Sequence, residues 1–282
     1  MSIKVTAEMV KELRERTGVG MGKCKEALDI ASGDMEKAID NLRKSGMASA
    51  VKKEGRETRE GLIGIGESAN SLSIVEINAE TDFFTQNDKF REFLKEVAVI
   101  AAEKKPSSLE ELIHLPAKHD SSISIDQYRA LVMQRLGENM QIKRVLILPK
   151  LSSSSWGVYS HMNGKIVTAV ELGGVGQEAL AKEIAMHVAA EAPEYLFPSE
   201  VPQEVKAREE EIAKAQVQGK PANIVDKIVE GKLKAFYDQV CLAQQKYVKD
   251  NAITITQLLE QEGKKLGQTL TLSRFIYWKV GD

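Results

Sequence analysis

Ser73-Ile74-Val75-Glu76-Ile77-Asn78-Ala79-Glu80-Thr81-Asp82-Phe83-Phe84-Thr85-Gln86-Asn87 carries the decisive pattern of this chain. An apolar strand runs to Ile77, a polar segment follows as far as Asn87, and a helix begins beyond it. That helix places Phe90, Phe93, Leu94, Val97, Ala98 and Ala101 at spacings of three and four, which is one buried face. The chain has only 7 Phe, and Phe83 and Phe84 stand side by side in the polar loop. Two readings stand. Both rings pack back onto their own core, or one is presented to a partner as an aromatic anchor.

Working outward, the strand is the second arm of a hairpin. Leu62-Ile63-Gly64-Ile65 and Leu72-Ser73-Ile74-Val75-Glu76-Ile77 flank a turn at Glu67-Ser68-Ala69-Asn70. The pattern recurs downstream. Trp156-Gly157-Val158-Tyr159-Ser160-His161 and Lys165-Ile166-Val167-Thr168-Ala169-Val170 flank Asn163-Gly164, a strong hairpin-turn signal. Each hairpin leads into a helix, over 89–102 and over 177–190. This reads as an internal duplication of one hairpin-plus-helix unit. Between the two lie helical segments near 109–115 and 126–136, then a strand at 142–148.

The flanks are helical. Residues 1–53 read as three short helices. Thr6 caps the first, which buries Met9, Val10 and Leu13. The second buries Met21, Cys24, Ala27, Leu28 and Ala31. Asp34 caps the third, which buries Met35, Ala38, Ile39 and Leu42. The charged run 52–60 reads as a linker. After Pro193 and Pro198, Val205, Ile212 and Ala215 mark one helix. Gly219-Lys220-Pro221 breaks it, and Ile224, Ile228, Leu233, Phe236 and Val240 mark a second, giving an antiparallel helical hairpin. Thr254 with Gln257 caps a further helix, and Leu272, Arg274, Ile276, Trp278 and Val280 alternate as a final strand. The expected class is α+β: an N-terminal three-helix bundle, then a duplicated hairpin-plus-helix core with an inserted antiparallel helical hairpin. The expected domains are 1–53, 54–150, 151–198 with 246–282, and the protruding hairpin 199–245.

Composition excludes several classes. With 282 residues and a formal net charge of -2, nothing marks a nucleic-acid or anionic-membrane binder. Cys24 and Cys241 cannot form a disulfide framework, which fits a reducing compartment. The start carries no signal-peptide pattern, and no apolar run approaches spanning length, so a cytoplasmic protein is expected. Chemistry is also missing. Gly18-Val19-Gly20-Met21-Gly22-Lys23-Cys24 resembles a phosphate loop but has three residues where four are needed, Cys24 where a hydroxyl should be, and no preceding strand. His114, His119, His161 and His187 are not at metal-ligand spacing. Glu80 and Asp82 read as solvated loop carboxylates. No catalytic residue, metal or cofactor is expected.

Taken together, several passages resemble the translation elongation factor Ts family, the guanine nucleotide exchange factors of elongation factor Tu. They are Val10 through Gly20 with Cys24-Lys25-Glu26-Ala27-Leu28, Asn78 with Thr81-Asp82-Phe83, Ile184 through Ala190 with Pro193, and Gly219-Lys220-Pro221 with Lys227 through Lys232. The resemblance covers nearly the whole chain in the family's order. It implies a loop of Thr81, Asp82, Phe83 and Phe84 that binds the partner and dislocates its Mg2+. It implies an N-terminal module that binds through Leu13, Arg14, Thr17, Gly18, Val19 and Gly20, and a contribution from His187 on the second core helix. It implies elongation factor Tu, GDP-bound and nucleotide-free, as the partner, with the helical hairpin as a coiled coil. Phe84 stands where valine is usual, Ala79 where cysteine is common, and the tail after Val280 is short. Two other classes compete. The bundle is similar to a ubiquitin-associated (UBA-like) fold, so the chain could be an adaptor that only docks partners. An uncharacterised hydrolase would instead turn over a small substrate without any partner.

Overall fold

A computed structural model describes residues 5–17, 19–46, 53, 55–217 and 222–282. Residues 1–4, Gly18, Lys52 and Glu54 of the connector, and the Gly219-Lys220-Pro221 break lie outside the described residues. The chain is a mixture of helix and antiparallel sheet, an α+β protein. It divides into two compact units, Met1–Pro149 with Lys279–Asp282, and Lys150–Trp278.

In the first unit, helices α1 (Ala7–Thr17), α2 (Met21–Ile30) and α3 (Met35–Lys44) bury Val10, Leu13, Cys24, Leu28, Ala38 and Leu42 against one another. Side-chain caps start two of them. Thr6 Oγ1 accepts from Met9 N at 3.3 Å, and Asp34 Oδ1 accepts from Lys37 N at 3.0 Å. Strands β1 (Glu60–Glu67) and β2 (Ser71–Ala79) form the hairpin. The one-turn helix α4 (Asp82–Gln86) and the long helix α5 (Asp88–Lys104) follow, then α6 (Leu109–His114) and α7 (Ile125–Leu136). Strand β3 (Met140–Pro149) returns beside β2, so the order is β1-β2-β3. Every residue of the central strand β2 is buried. The three N-terminal helices share one continuous core with α5, α7 and this sheet, and Lys23 of α2 pairs with the buried Asp126 of α7.

Helix α5 lies unusually close to β1. A Cβ built on Gly66 would stand 2.0 Å from Ala98 O, so only glycine fits there. The space is used by Ser73, whose Oγ donates to Ala98 O at 2.6 Å. The chain end is fastened to the same unit. Glu76 is fully buried, with Arg144 Nε donating to it at 2.7 Å and Gly281 N at 3.1 Å. Arg144 Nη2 also donates to Lys279 O at 3.0 Å.

The second unit repeats the plan with different residues. Strands β4 (Ser154–His161) and β5 (Ile166–Gly173) form a hairpin, crossed by α8 (Glu178–Glu191). The approach is again close. Gly157 faces Lys182 N, which a Cβ would meet at 1.9 Å, and Thr168 Oγ1 donates to Ala185 O at 2.6 Å. The strands close at His161 and Ile166, leaving a four-residue turn rather than Asn163-Gly164 alone. Met162 and Asn163 both take left-handed φ there, at 49° and 55°. Helices α9 (Gln203–Ala215) and α10 (Ala222–Val240) pack on each other through Ala213, Val217 and Val229. A small hairpin of β6 (Lys246–Tyr247) and β7 (Asp250–Thr254), not legible in the sequence, precedes α11 (Ile255–Leu266). Strand β8 (Thr271–Lys279) completes the order β4-β5-β8.

Candidate functional site: the Phe83 turn

The segment after β2 is not an open loop. Thr81 is extended (φ -130°, ψ 159°), and its Oγ1 accepts from Phe84 N at 3.3 Å. That cap starts α4, and Asp82 Oδ1 accepts from Phe83 N at 2.9 Å in its opening turn. Thr85 Oγ1 closes the turn by donating to Asp82 O at 2.7 Å. The two phenylalanines then separate, because neighbours on a helix point about 100° apart. Phe84 is 4% exposed and meets Phe90 edge-to-face, with centroids 5.5 Å apart. Phe83 is 84% exposed. Phe84 packs home while Phe83 stands in solvent, so the reading in which both rings pack onto their own core fails for Phe83.

Residues distant in sequence hold this turn, and no motif pointed to them. Thr81 N donates to Glu138 Oε2 at 3.1 Å, and Thr81 Oγ1 donates to Glu138 Oε1 at 2.8 Å. Glu80 is no solvated carboxylate, as the sequence suggested. It pairs with Arg56 at 3.3 Å and accepts from Asn139 N, while Asn139 Nδ2 donates to Arg56 O at 2.8 Å. Asp82 is exposed. Asn78, at the end of β2, is 4% exposed, and its Oδ1 has no hydrogen-bond partner among the described residues.

The other sequence candidates fall elsewhere. Leu13, Thr17 and Val19 are buried, with Thr17 Oγ1 donating to Leu13 O at 2.6 Å. Any direct side-chain contact from that module would fall to exposed neighbours such as Arg14; Gly20 is exposed and Gly18 is outside the described residues. Cys24, at the would-be phosphate loop, is buried and donates to Val19 O at 3.2 Å, and burial pushes its thiol up. Met21 through Cys24 form the first turn of α2, with no strand leading into them. Cys241 is likewise buried, its thiol pushed up to about 11 by burial.

His187 is fully buried in the second unit. Its Nδ1 accepts from Val248 N at 3.2 Å, so the proton sits on Nε2 and is donated to Gln245 Oε1 at 3.0 Å. Gln245 passes the chain on, donating to Gln239 O at 2.7 Å. Burial lowers the imidazole pKa from 6.5, outweighing the raising effects of Gln245 and Glu191. The sign follows. The unfolded chain takes a proton near 6.5 before the folded one does, so this contribution to stability is complete above pH 6.5. It is lost as pH falls through the lower folded value. His187→Gln should therefore flatten the fall in melting temperature between pH 7 and pH 5. A wild-type slope retained in the variant would refute this.

Among the described residues, no group of three or more His, Cys, Asp or Glu side chains could hold a metal ion, and no helix is long and apolar enough to cross a membrane.

The family model described as "Elongation factor TS" matches residues 80–282, beginning at the Phe83 turn. The chain belongs to the elongation factor Ts family. It is 58% identical over 279 residues to "Elongation factor Ts" of Protochlamydia amoebophila (strain UWE25), an alignment covering 99% of each chain. It is 44% identical over 275 residues to "Elongation factor Ts" of Chlamydia muridarum (strain MoPn / Nigg), covering 97% of this chain and 98% of that one. Elongation factor Ts membership makes this a factor of translation elongation in protein biosynthesis.

Proposed function

We propose that this chain is a guanine nucleotide exchange factor for elongation factor Tu, acting in the cytoplasm without a cofactor or covalent chemistry of its own. The observation that carries the reading is Phe83, an aromatic ring 84% exposed on a turn fastened by hydrogen bonds on its N-terminal side and by a buried Phe84 beside it. An exposed large ring on a rigid support is the form an interface anchor takes. In the complex, the ring of Phe83 would wedge into the nucleotide domain of the partner, with Asp82 beside it, and displace the groups that hold Mg2+ and the GDP phosphates. Burying the ring supplies roughly 1.5–3 kcal/mol of bias. By linkage, whatever preference the factor has for the nucleotide-free partner weakens GDP by the same factor.

The bias from one ring is too small for complete displacement, so a second contact surface is needed. The three-helix bundle, taken as a UBA-like module, and the duplicated sheet units would supply it. The parallel placing of glycine and hydroxyl under α5 and α8 supports the duplication. A docking adaptor is the competing reading, favoured by Met21 and Ile30, both exposed at the ends of α2. The release rate of labelled GDP from elongation factor Tu separates the two. Exchange requires a marked acceleration by catalytic amounts of this chain. Binding with an unchanged release rate would leave only the adaptor.

A further inference from the structure

We propose that Glu138 is a positioning residue for nucleotide exchange: it orients the turn that presents Phe83. The role rests on the exchange reading given above.

The argument starts from what α4 lacks. A five-residue helix is far below the length at which helices are stable alone. Its own side chains anchor only one flank, through the buried Phe84 and Thr85. Phe83 cannot help, since it is 84% exposed. The N-terminal flank is therefore held by whatever holds Thr81, and that is Glu138, 57 residues further along.

The bond pattern also fixes a polarity. Glu138 accepts the Thr81 hydroxyl proton, with 2.8 and 3.1 Å to its two oxygens, and the Thr81 backbone N–H at 3.1 Å. With its proton committed to the carboxylate, the hydroxyl turns a lone pair toward Phe84 N and caps the helix. The chain Phe84 N–H to Thr81 to Glu138 runs in one direction, and its last member is charge-assisted. The next residue works the other way, Asn139 N donating to Glu80. Residues 80–81 and 138–139 are thus tied by bonds in both directions. Such a clamp pre-orders the turn, which reduces the ordering cost when Phe83 is buried against a partner. Without Glu138, the Thr81 rotor is free and the cap is weakened.

The test uses the full chain with Glu138→Ala, Glu138→Gln, Phe83→Ala and the Glu138→Ala/Phe83→Ala double variant. The readouts are GDP release from elongation factor Tu, melting temperature, and hydrogen exchange of the amides of residues 84–86. Glu138→Ala should slow GDP release about tenfold, the scale of a charge-assisted hydrogen bond. Its melting temperature should stay near that of the wild type, and the 84–86 amides should exchange faster. Glu138→Gln should recover part of the rate, because its amide oxygen can still accept from Thr81. In the Phe83→Ala background, Glu138→Ala should add nearly nothing, since both act through the same ring. Additive losses would overturn the proposal and make Glu138 an independent partner contact. Wild-type release by Glu138→Ala, or unchanged amide exchange, would also overturn it. If the unmodified chain fails to accelerate release, the exchange reading itself falls and the role with it.

Discussion

Phe83→Ala is expected to cut the acceleration of GDP release by more than tenfold while leaving the melting temperature where it was. The two halves of this result have one origin. At 84% exposure, the ring contributes almost nothing to the core of its own chain, so its removal leaves no cavity in the free protein. In the complex the same truncation removes a buried aromatic and leaves a gap in the partner, a loss of about 2 kcal/mol or more at an interface hot spot. At about 1.4 kcal/mol per decade, that exceeds a factor of ten. Phe84→Val should show the reverse balance. Phe84 is 4% exposed and packs on Phe90, so its truncation should cost about 2 kcal/mol of folding stability and a smaller loss of exchange. Both variants need only a release rate and a melting curve. Normal exchange by Phe83→Ala, or a loss that merely tracks a collapsed melting temperature, would show that this ring is not the wedge.

Arg144→Met is expected to cost about 3 kcal/mol of folding stability, the scale of leaving one member of a buried ion pair alone. The penalty falls on Glu76, not on the arginine. Glu76 is fully buried in the central strand β2, whereas the Arg144 side chain is 30% exposed and partly solvated. With the guanidinium gone, the carboxylate keeps the Gly281 N–H, and Lys279 O loses its donor from Arg144. Replacing both charges, Glu76→Leu with Arg144→Met, should recover much of the loss, because no buried charge remains to be compensated. Chemical denaturation of the three proteins provides the measurement. An Arg144→Met midpoint equal to that of the wild type would mean that water reaches Glu76 and the pair carries little.

Much of the architecture was legible because its elements are long enough to show a period. Strand β2 and helix α5 announce themselves through alternation and three-four spacing, and the caps at Thr6, Asp34 and Thr254 carry side-chain oxygens where helices start. Short elements escaped. The β6–β7 hairpin is built from Lys246-Tyr247 and a polar five-residue strand, too short to show a pattern against its surroundings. Helix α4 escaped for the same reason, although Thr81 followed by Asp82 is a cap signal in itself.

The site divides along a similar line. By itself, the sequence determined that two aromatic rings sit in a polar segment after a buried strand, and that the order of passages resembles one family. All of that depends on residue type and local spacing. Only the tertiary structure decided which ring is offered and what holds it. Adjacent residues on a helical turn must face different ways, but the turn can be rolled either way about its axis. Its setting comes from Phe90 under Phe84, and from Glu138 and Asn139 bonded to residues 80–81. Those last partners lie nearly sixty residues downstream, where only the return of β3 beside β2 brings them within hydrogen-bond reach.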